Sequence, residues 1–571
     1  MIDAPAFSVE GGSEAGPPKR MLPASEILTI RSIVLGLVIG TVTTMQNIYF
    51  ALKYGFTVSN NISAAILGFG ALKPTARFFK KEFTSEENCV LMTVAVAATA
   101  MVWGGSMPFA ILAMSKELRD EVSFGDEDTD TWEPTILKLM VYSAALCFIG
   151  FCLAIPLREK FVVKEPLPFP YALAAAKTIE SLNTTDDPTY EEPMFLLKAI
   201  VPAWAWGMFV WSFDGLERMP LFGLRAKQKF QWQLNLSIGP FGHGFIVPAR
   251  YILSELIGAS VASGVLIPLA VRKANVWYDK GASGFEGQQA FYLLPAIFAI
   301  AADSVYQLLK IMIIYLGPPL VAALRRGLSN GGGDLTAPLI SPGAAAETSS
   351  SSVITSEEPE SEESKDDFGA EAAAPRKNTK KKKASAAVAF GRRGHQQQQK
   401  KRTTEEEIID QVTQPWFLGW LASSLIAIVA FRLLFNVRYD MAAVALLSSP
   451  LWSIGITLAV GTTGSNVASS AGKVMIMLFA AWYGSPGHVV QTLALGALSI
   501  AIIDQALDLV RDFKTAYLLH TSPRAMFIAQ SIGAGFSIFT SSILYYVYTN
   551  NVSLPSASLP AVIAESYRGL A

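Results

Sequence analysis

Long apolar segments recur along most of the chain, and they restrict its fold more than any other feature. A helix needs roughly 20 consecutive, mostly apolar residues to cross a bilayer. Charged residues make up 16% of the chain, whereas about a quarter of a soluble domain is charged. The sequence therefore predicts an all-α, polytopic transmembrane helical bundle. The predicted spans lie near residues 30–52, 59–79, 88–114, 135–157, 194–213, 245–271, 290–324, 416–436, 440–460, 467–483, 488–509 and 524–548.

The charges of the loops predict how the bundle is oriented. Lysines and arginines follow the second and fourth spans, whereas loop 115–134 is rich in Asp and Glu. Because short cytosolic loops carry excess Lys and Arg, we expect the N-terminus in the cytosol and loop 115–134 outside. Residues 1–27 have no pattern of a cleavable signal peptide and are predicted to be a disordered cytosolic N-terminus. Either the plasma membrane or an endomembrane fits this pattern.

One long polar segment, residues 326–407, divides the apolar part of the chain. It is rich in Gly, Ser and Ala, then acidic, then basic, and it holds a run of Gln. Such a segment buries too little apolar area to fold, so we predict a disordered cytosolic loop. Its basic part is expected to contact anionic lipid. The loop separates an N-terminal membrane half, 28–325, from a C-terminal half, 408–549, and a tail follows at 550–571.

A proline-rich break, residues 166–171, is the first of three polar or helix-breaking segments inside apolar surroundings. Its three prolines prevent a regular helix, and a helix then starts whose N-terminus suits an anion. The break is interpreted either as a loop before a surface helix or as a re-entrant hairpin near a transport pathway. Tyr171 ends the break, and Lys177 and Glu180 lie one helical turn apart, close enough to pair.

A glycine-rich break, residues 461–466, places hydroxyl and amide groups in an apolar region. Its candidate ligands are Thr462, Thr463 and Asn466. Broken helices expose backbone groups that bind substrates or ions at membrane depth. The alternative is a simple turn between two helices.

The acidic segment, residues 504–530, contains the densest charge within the apolar regions. Asp504 and Asp508 are spaced i, i+4 and share one helical face. Ionisable groups inside a membrane are costly and usually mark a pathway or a paired site, and a carboxyl group withdrawn from water can carry a proton. The alternative is that Asp508 or Asp512 pairs with Arg511 or Lys514 near the interface.

Two further acids, Glu255 and Asp303, lie alone in long apolar runs and are candidates for the pathway or for structural hydrogen bonding. Tyr49 in the first span is a weaker candidate. No histidine pair has metal-binding spacing, no nucleotide-binding or nucleophile motif is present, and no cofactor is predicted. An enzyme is therefore disfavoured, and a channel would need a repeated filter that is not visible.

Several sequence blocks, in order, carry a resemblance to one family. Asp508-Leu509, Asp512-Phe513-Lys514-Thr515 and Ser522-Pro523-Arg524 resemble a signature of the oligopeptide transporter superfamily, on its yellow stripe-like side. Further similar blocks are Arg31 to Gly55, Phe83-Thr84 with Glu87-Asn88, Pro170 to Ser181, Leu221 to Leu224, Gly258 to Pro268 and Gly461 to Lys473.

The resemblance implies a secondary transporter with inverted repeats that imports small peptides or metal chelates, such as nicotianamine or siderophore complexes, together with protons. The expected partners are this small-molecule substrate, protons and the lipid bilayer, with no nucleic acid. The candidate proton carriers are Asp303, Asp504, Asp508 and Glu255. The candidate substrate-binding residues are Tyr49, Tyr171, Lys177, Glu180, Thr462, Thr463, Asn466, Lys514 and Arg524.

The chain also departs from the family pattern in three places. Tyr171-Ala172-Leu173 stands where the family has Ser-Gly-Thr, so chelate specificity is not carried over. Glu255 and Asp214 stand where the family blocks are apolar or aromatic. The sequence ends at Ala571, where members usually continue with further helices, so the alternative expectation is a shortened, non-transporting membrane subunit or regulator.

Overall fold

The computed structural model describes most of the predicted membrane part of the chain. Asp303, nearly all of the predicted span 290–324 and the loop 326–407 lie outside the described residues. The described residues are 22–79, 82–121, 130–183, 191–236, 238–247, 249–278, 288, 291, 295, 298, 302, 306, 416–464, 466, 468–484, 487–556, 559 and 561–571.

Helices make up almost all of the described structure before the loop. Three π-helical turns interrupt them at Met107–Ile111, Glu159–Lys164 and Ala262–Leu266, and the strands β1 (Met219–Pro220) and β2 (Gln233–Leu234) pair antiparallel. The helices are α1 (Ala24–Ile27), α2 (Ile30–Tyr54), α3 (Asn61–Phe79), α4 (Ser85–Ala97), α5 (Ala100–Trp103), α6 (Lys116–Glu121), α7 (Ile136–Leu146), α8 (Ile149–Arg158), α9 (Pro170–Asn183), α10 (Glu191–Ser212), α11 (Asp214–Glu217), α12 (Leu224–Phe230), α13 (Ile238–Ile246), α14 (Ala249–Val261) and α15 (Ile267–Arg272).

The described part after the loop is also helical. Within the described residues, eight helical segments are long and apolar enough to cross a bilayer. The predicted fold class, an all-α transmembrane bundle, is thereby confirmed. The helices are α16 (Trp416–Phe435), α17 (Tyr439–Thr463), α18 (Ala468–Tyr483), α19 (Val489–Leu518), α20 (Pro523–Asn551) and α21 (Val562–Leu570).

Helix α19 forms the centre of the bundle and is called the central helix below. Its most apolar 18-residue window is entirely buried, and it packs against α8, α9, α17, α18 and α20. A helix that is apolar around its whole circumference is buried on all sides. The sequence predicted a span ending at residue 509, but the helix continues to Leu518. Charged residues would be unfavourable in the last turns of an isolated membrane helix. Here, polar side chains of neighbouring helices stabilise them.

Two glycines and two isoleucines interlock α18 with the central helix. A side-chain carbon built on Gly472 would lie 2.0 Å from Cγ1 of Ile500, and one on Gly496 would lie 2.3 Å from Cγ1 of Ile476. Both isoleucines are buried. Small residues let membrane helices approach closely and gain dispersion energy without a hydrophobic drive. The pair of contacts therefore fixes the register between the two helices.

We expect Gly472→Ala to destabilise the protein by about 1–3 kcal/mol, because the added methyl group overpacks the contact with Ile500. Helix propensity alone would favour Ala by about 1 kcal/mol, so the sign of the change tests the packing. Thermal unfolding in detergent gives the measurement. Gly535→Ala in α20 is the matched control, since an added carbon there meets nothing within 4 Å. Equal stability of the two variants would contradict the interlock.

An ion pair connects the start of α2 to the start of α4. Thr84 caps α4 by accepting a hydrogen bond from the backbone N–H of Glu87 at 3.2 Å. The Glu87 carboxylate accepts hydrogen bonds from Nε and Nη2 of Arg31 at 2.7 and 2.6 Å and another from the Thr29 hydroxyl. A bidentate Arg–carboxylate pair fixes orientation as well as distance. It aligns α2 with α4 at one end of the bundle.

The predicted tail contains a buried helix, α21, whose side chains pack inside the bundle. Tyr567 is fully buried, with its ring 6.1 Å from that of Phe109 in an edge-on arrangement. Arg568 donates hydrogen bonds to the carbonyl oxygens of Ala113 at 2.7 Å and Asp130 at 3.2 Å. This helix therefore contributes to the wall around the central helix.

Candidate functional site

The proline-rich and glycine-rich breaks lie against each other. The backbone N–H of Phe169 donates a hydrogen bond to the Gly461 carbonyl oxygen at 2.8 Å. Leu167 packs directly against Gly461: a side-chain carbon added to Gly461 would lie 2.5 Å from Cδ1 of Leu167. Phe169 is buried and has a φ of 43°, a conformation that costs a non-glycine residue free energy and often marks a functional site. The two breaks, far apart in sequence, thus form one unit.

Gly464 and Tyr171 complete the contact between the breaks. Gly464 ends α17 with a φ of 83°, and a carbon added to it would lie 3.3 Å from the Tyr171 ring. Tyr171 is half-buried; burial raises the pKa of its hydroxyl, the charge of Glu255 raises it further, and the charge of Arg511 lowers it. The Tyr171 hydroxyl is therefore protonated at neutral pH and able to donate a hydrogen bond.

We expect Gly464→Ala to lower stability by about 1–2 kcal/mol, the cost of a left-handed conformation for a residue with Cβ, and to lower transport by pushing Tyr171 away. Gly484→Ala is the matched control, because Gly484 also has a positive φ, 62°, but its added carbon would meet only a backbone oxygen 3.7 Å away. Unfolding and uptake assays on both variants separate the two effects. Equal uptake by both would show that the Tyr171 contact is not used.

Three buried carboxylates lie on one face of the central helix. Asp504, Asp508 and Asp512 are four residues apart, which places them in a row about 12 Å long. All three are at least 95% buried. Buried carboxylates need a hydrogen-bond partner, a counter-charge or a proton, so the neighbours of this row determine what it can do.

Each carboxylate accepts a hydrogen bond from an amide side chain of a different segment. Asn466 in the glycine-rich break donates to Asp504 at 3.0 Å, Gln530 in α20 to Asp508 at 3.1 Å, and Asn61 in α3 to Asp512 at 3.0 Å. The Thr515 hydroxyl of the central helix also reaches the Ala172 carbonyl oxygen, at 3.4 Å. The row of acids therefore links both breaks to helices α3 and α20.

The alternative prediction, in which Asp508 or Asp512 pairs with Arg511 or Lys514, differs from the contacts observed. Among the ion pairs within the described ranges, none includes the three aspartates. The Arg511 charge acts on all three electrostatically, while the Lys514 ammonium lies 5.9 Å from the Tyr517 ring centre. Amides replace cations as the direct partners.

The structure brings only part of the predicted site together. Asn466 joins the acidic row and Tyr171 lies against Gly464 of the glycine-rich break, whereas the hydroxyls of Thr462 and Thr463 donate to carbonyl oxygens of their own helix. Four more predicted residues lie away from the row. Tyr49 accepts a hydrogen bond from Lys53 at 3.0 Å, and Lys177, Glu180 and Arg524 are exposed.

Glu255 lies on an exposed face of α14, where its charge reaches Tyr171. Asp303 is outside the described residues.

Four features of this site escaped the sequence analysis. Asp512 was considered only as an ion-pair partner of Arg511 or Lys514, and the amides of Asn61 and Gln530 were not recognised as partners. A third helix break, at Gly104 to Ser106, runs beside Asp504: a carbon on Gly104 would lie 3.7 Å from Asp504 Cβ, and Ser106 has a φ of 49°. The signal for it was Gly-Gly-Ser-Met-Pro inside an apolar run.

Comparison with known proteins identifies the family. The family model described as "OPT oligopeptide transporter protein" matches residues 27–571. The relative named Probable metal-nicotianamine transporter YSL8, from Oryza sativa subsp. japonica, is 27% identical over 575 residues, covering 97% of this chain and 76% of that protein. A protein of the same name from Arabidopsis thaliana is 27% identical over 589 residues, covering 99% of this chain and 74% of that protein.

A third relative comes from maize. Iron-phytosiderophore transporter yellow stripe 1 of Zea mays is 25% identical over 575 residues, covering 96% of this chain and 75% of that protein. The resemblance drawn from the sequence blocks is thereby confirmed, and so is the prediction that the protein is a transporter and not an enzyme. This chain is a multi-pass integral membrane protein and belongs to the OPT oligopeptide transporter family.

Proposed function

We propose that this protein is a proton-coupled secondary transporter of metal chelates of the nicotianamine or phytosiderophore class. The observation that carries the proposal is the row of three buried aspartates, which is hydrogen-bonded to the glycine-rich break and lies beside the proline-rich break. Carboxylates within a membrane are typical of proton relays, and broken helices are typical of substrate sites in transporters. The relatives' names supply the substrate class.

The substrate would bind beside the two breaks, where hydrogen-bond donors, an acceptor and a positive charge lie close together. Tyr171 offers a hydroxyl donor, Asn466 an amide, and Arg511 a partly buried positive charge. Metal chelates of this class carry carboxylates and amines, so both donors and acceptors are required. The transported proton is proposed to bind within the row of aspartates, and the chemical potential of protons would drive accumulation.

The decisive experiment is uptake by cells that lack their own iron-chelate and peptide uptake. Labelled iron–nicotianamine and a labelled tetrapeptide are offered in parallel at several external pH values. Chelate accumulation that rises with the inward proton gradient is the expected result. Uptake of the peptide alone would overturn the chelate assignment. No uptake of either, with the protein in the membrane, would overturn transport and favour a non-transporting subunit or regulator.

We further propose that the N-terminus and loop 326–407 are cytosolic and that loop 115–134 is external. The acidic character of that external loop, opposed to lysines and arginines in the flanking loops, supports this orientation. A cysteine introduced at Asp120 in a variant lacking the native cysteines should react with a membrane-impermeant thiol reagent on intact cells. Reaction only after permeabilisation would reverse the orientation.

A further inference from the structure

The Asp508–Gln530 pair differs from the other two carboxylate–amide pairs in what surrounds its amide. The Gln530 side-chain Nε2 donates to Oδ2 of Asp508 at 3.1 Å. The Gln530 Oε1 and the Asp508 Oδ1 are both buried and have no hydrogen-bond partner within the described part of the chain. No donor therefore holds the Gln530 amide in one orientation.

The amides of the other two pairs are fixed. Asn466 Oδ1 accepts a hydrogen bond from the backbone N–H of Ala468 at 3.0 Å, so its amino group must face Asp504. Asn61 Oδ1 accepts one from the Ser59 hydroxyl, so its amino group must face Asp512. Each of these amides offers a donor and keeps its own acceptor engaged. They suit an ionised carboxylate, which only accepts hydrogen bonds.

A carboxyl group that changes protonation state needs a partner of the opposite kind in each state. Ionised, Asp508 accepts a hydrogen bond from the Gln530 amino group. Protonated, it gains an O–H donor, and a half-turn of the Gln530 amide presents Oε1 as the acceptor. In the step itself, an O–H bond to Asp508 forms on uptake of a proton from water and breaks on its release. The pair stays hydrogen-bonded throughout.

The charges that act on Asp508 come from the central helix itself. The positive charge of Arg511 acts on Asp508, and the charge of Asp508 acts in turn on Asp504 and Asp512. The group that α20 brings to Asp508 is the neutral amide of Gln530. Three ionised carboxylates on one helical face would repel one another, so a proton on one of the three is favoured.

We propose that Asp508 is the carboxyl group that gains and loses the transported proton, and that Gln530 is the positioning residue whose amide turns to accommodate both states. Asp504 and Asp512 remain ionised and tether the glycine-rich break and α3 to the central helix. The inference rests on the proposed proton coupling, but it makes a spectroscopic claim that does not depend on which substrate is carried.

The test is infrared difference spectroscopy of the purified protein in lipid during a pH titration, with no substrate present. A pH-dependent carbonyl band of a protonated carboxyl group is expected. It should vanish in Asp508→Asn, persist in Asp504→Asn, and shift to higher frequency in Gln530→Leu, where the hydrogen bond is lost. Gln530→Asn should restore part of the shift. Retention of the band in Asp508→Asn, or an unshifted band in Gln530→Leu, would overturn the proposal.

Gln505→Leu is the matched control for these variants. Gln505 lies on the same helix, is fully buried, and its amide makes no hydrogen bond within the described ranges. Its removal should leave the band unchanged, and a band that moved as in Gln530→Leu would overturn the specific role of Gln530. Chelate uptake is measured separately on the same proteins. Absent uptake with the expected band would reject the transport function while keeping the proton site.

Discussion

Asp508→Asn is expected to reduce proton-driven uptake to the level of membranes that lack the protein, without loss of folded protein. Asparagine keeps the shape of the side chain and can still accept a hydrogen bond from Gln530, but it cannot take up a proton. The bundle should tolerate the change, because the substitution removes a buried carboxyl group that has no direct cation partner within the described residues. Initial uptake rates at two external pH values measure the effect.

The control for this prediction is the amount of correctly localised, monodisperse protein. Asp508→Glu should retain part of the uptake, since it restores a titratable group one methylene farther from the helix. Normal uptake by Asp508→Asn that is present in the membrane at the usual level would show that the proton passes elsewhere, with Asp504 as the next residue to test.

Arg31→Met is expected to destabilise the protein by about 3–5 kcal/mol, the largest stability loss that the structure predicts. The Glu87 side chain is 2% exposed, and removal of its cation leaves an uncompensated buried charge. The loss should appear as a lower unfolding temperature in detergent and as reduced protein in the membrane.

The double variant Arg31→Met, Glu87→Met separates the ion pair from general damage to the site. Replacing both members of a buried pair with apolar residues is often neutral or stabilising, and the Thr84 cap binds the backbone of residue 87, which the double variant keeps. The double variant should therefore regain most of the lost stability. A double variant as unstable as the single one would assign the loss to packing around Arg31.

The positions of most helices follow from the lengths of the apolar segments, which can be read from the sequence. The predicted span 416–436 corresponds to Trp416–Phe435, and 524–548 to Pro523–Asn551. The end of the central helix was the clearest error, because Asp512 and Lys514 look incompatible with a buried helix until their neighbours are known. Local sequence carries no information on such neighbours.

The charged residues of the candidate site could be predicted from the sequence more readily than their partners. Carboxylates in an apolar run are visible, so Asp504 and Asp508 were identified from sequence. Amides are common and carry no charge, so nothing marked Gln530 or Asn61 as the residues that reach them. The contact of Phe169 with Gly461 depends on how two distant segments fold back, which spacing along the chain does not encode.

The burial of three aspartates in the central helix also bears on how the protein enters its membrane. An aspartate near the middle of an isolated helix raises the insertion free energy by about 3 kcal/mol. This helix is therefore poorly suited to pass from the translocon into the lipid as a single helix. Asn61 and Asn466 are synthesised before it and Gln530 after it. We therefore expect the ribosome to deliver α19 and α20 as a hairpin, whose release into lipid waits for the earlier helices to assemble.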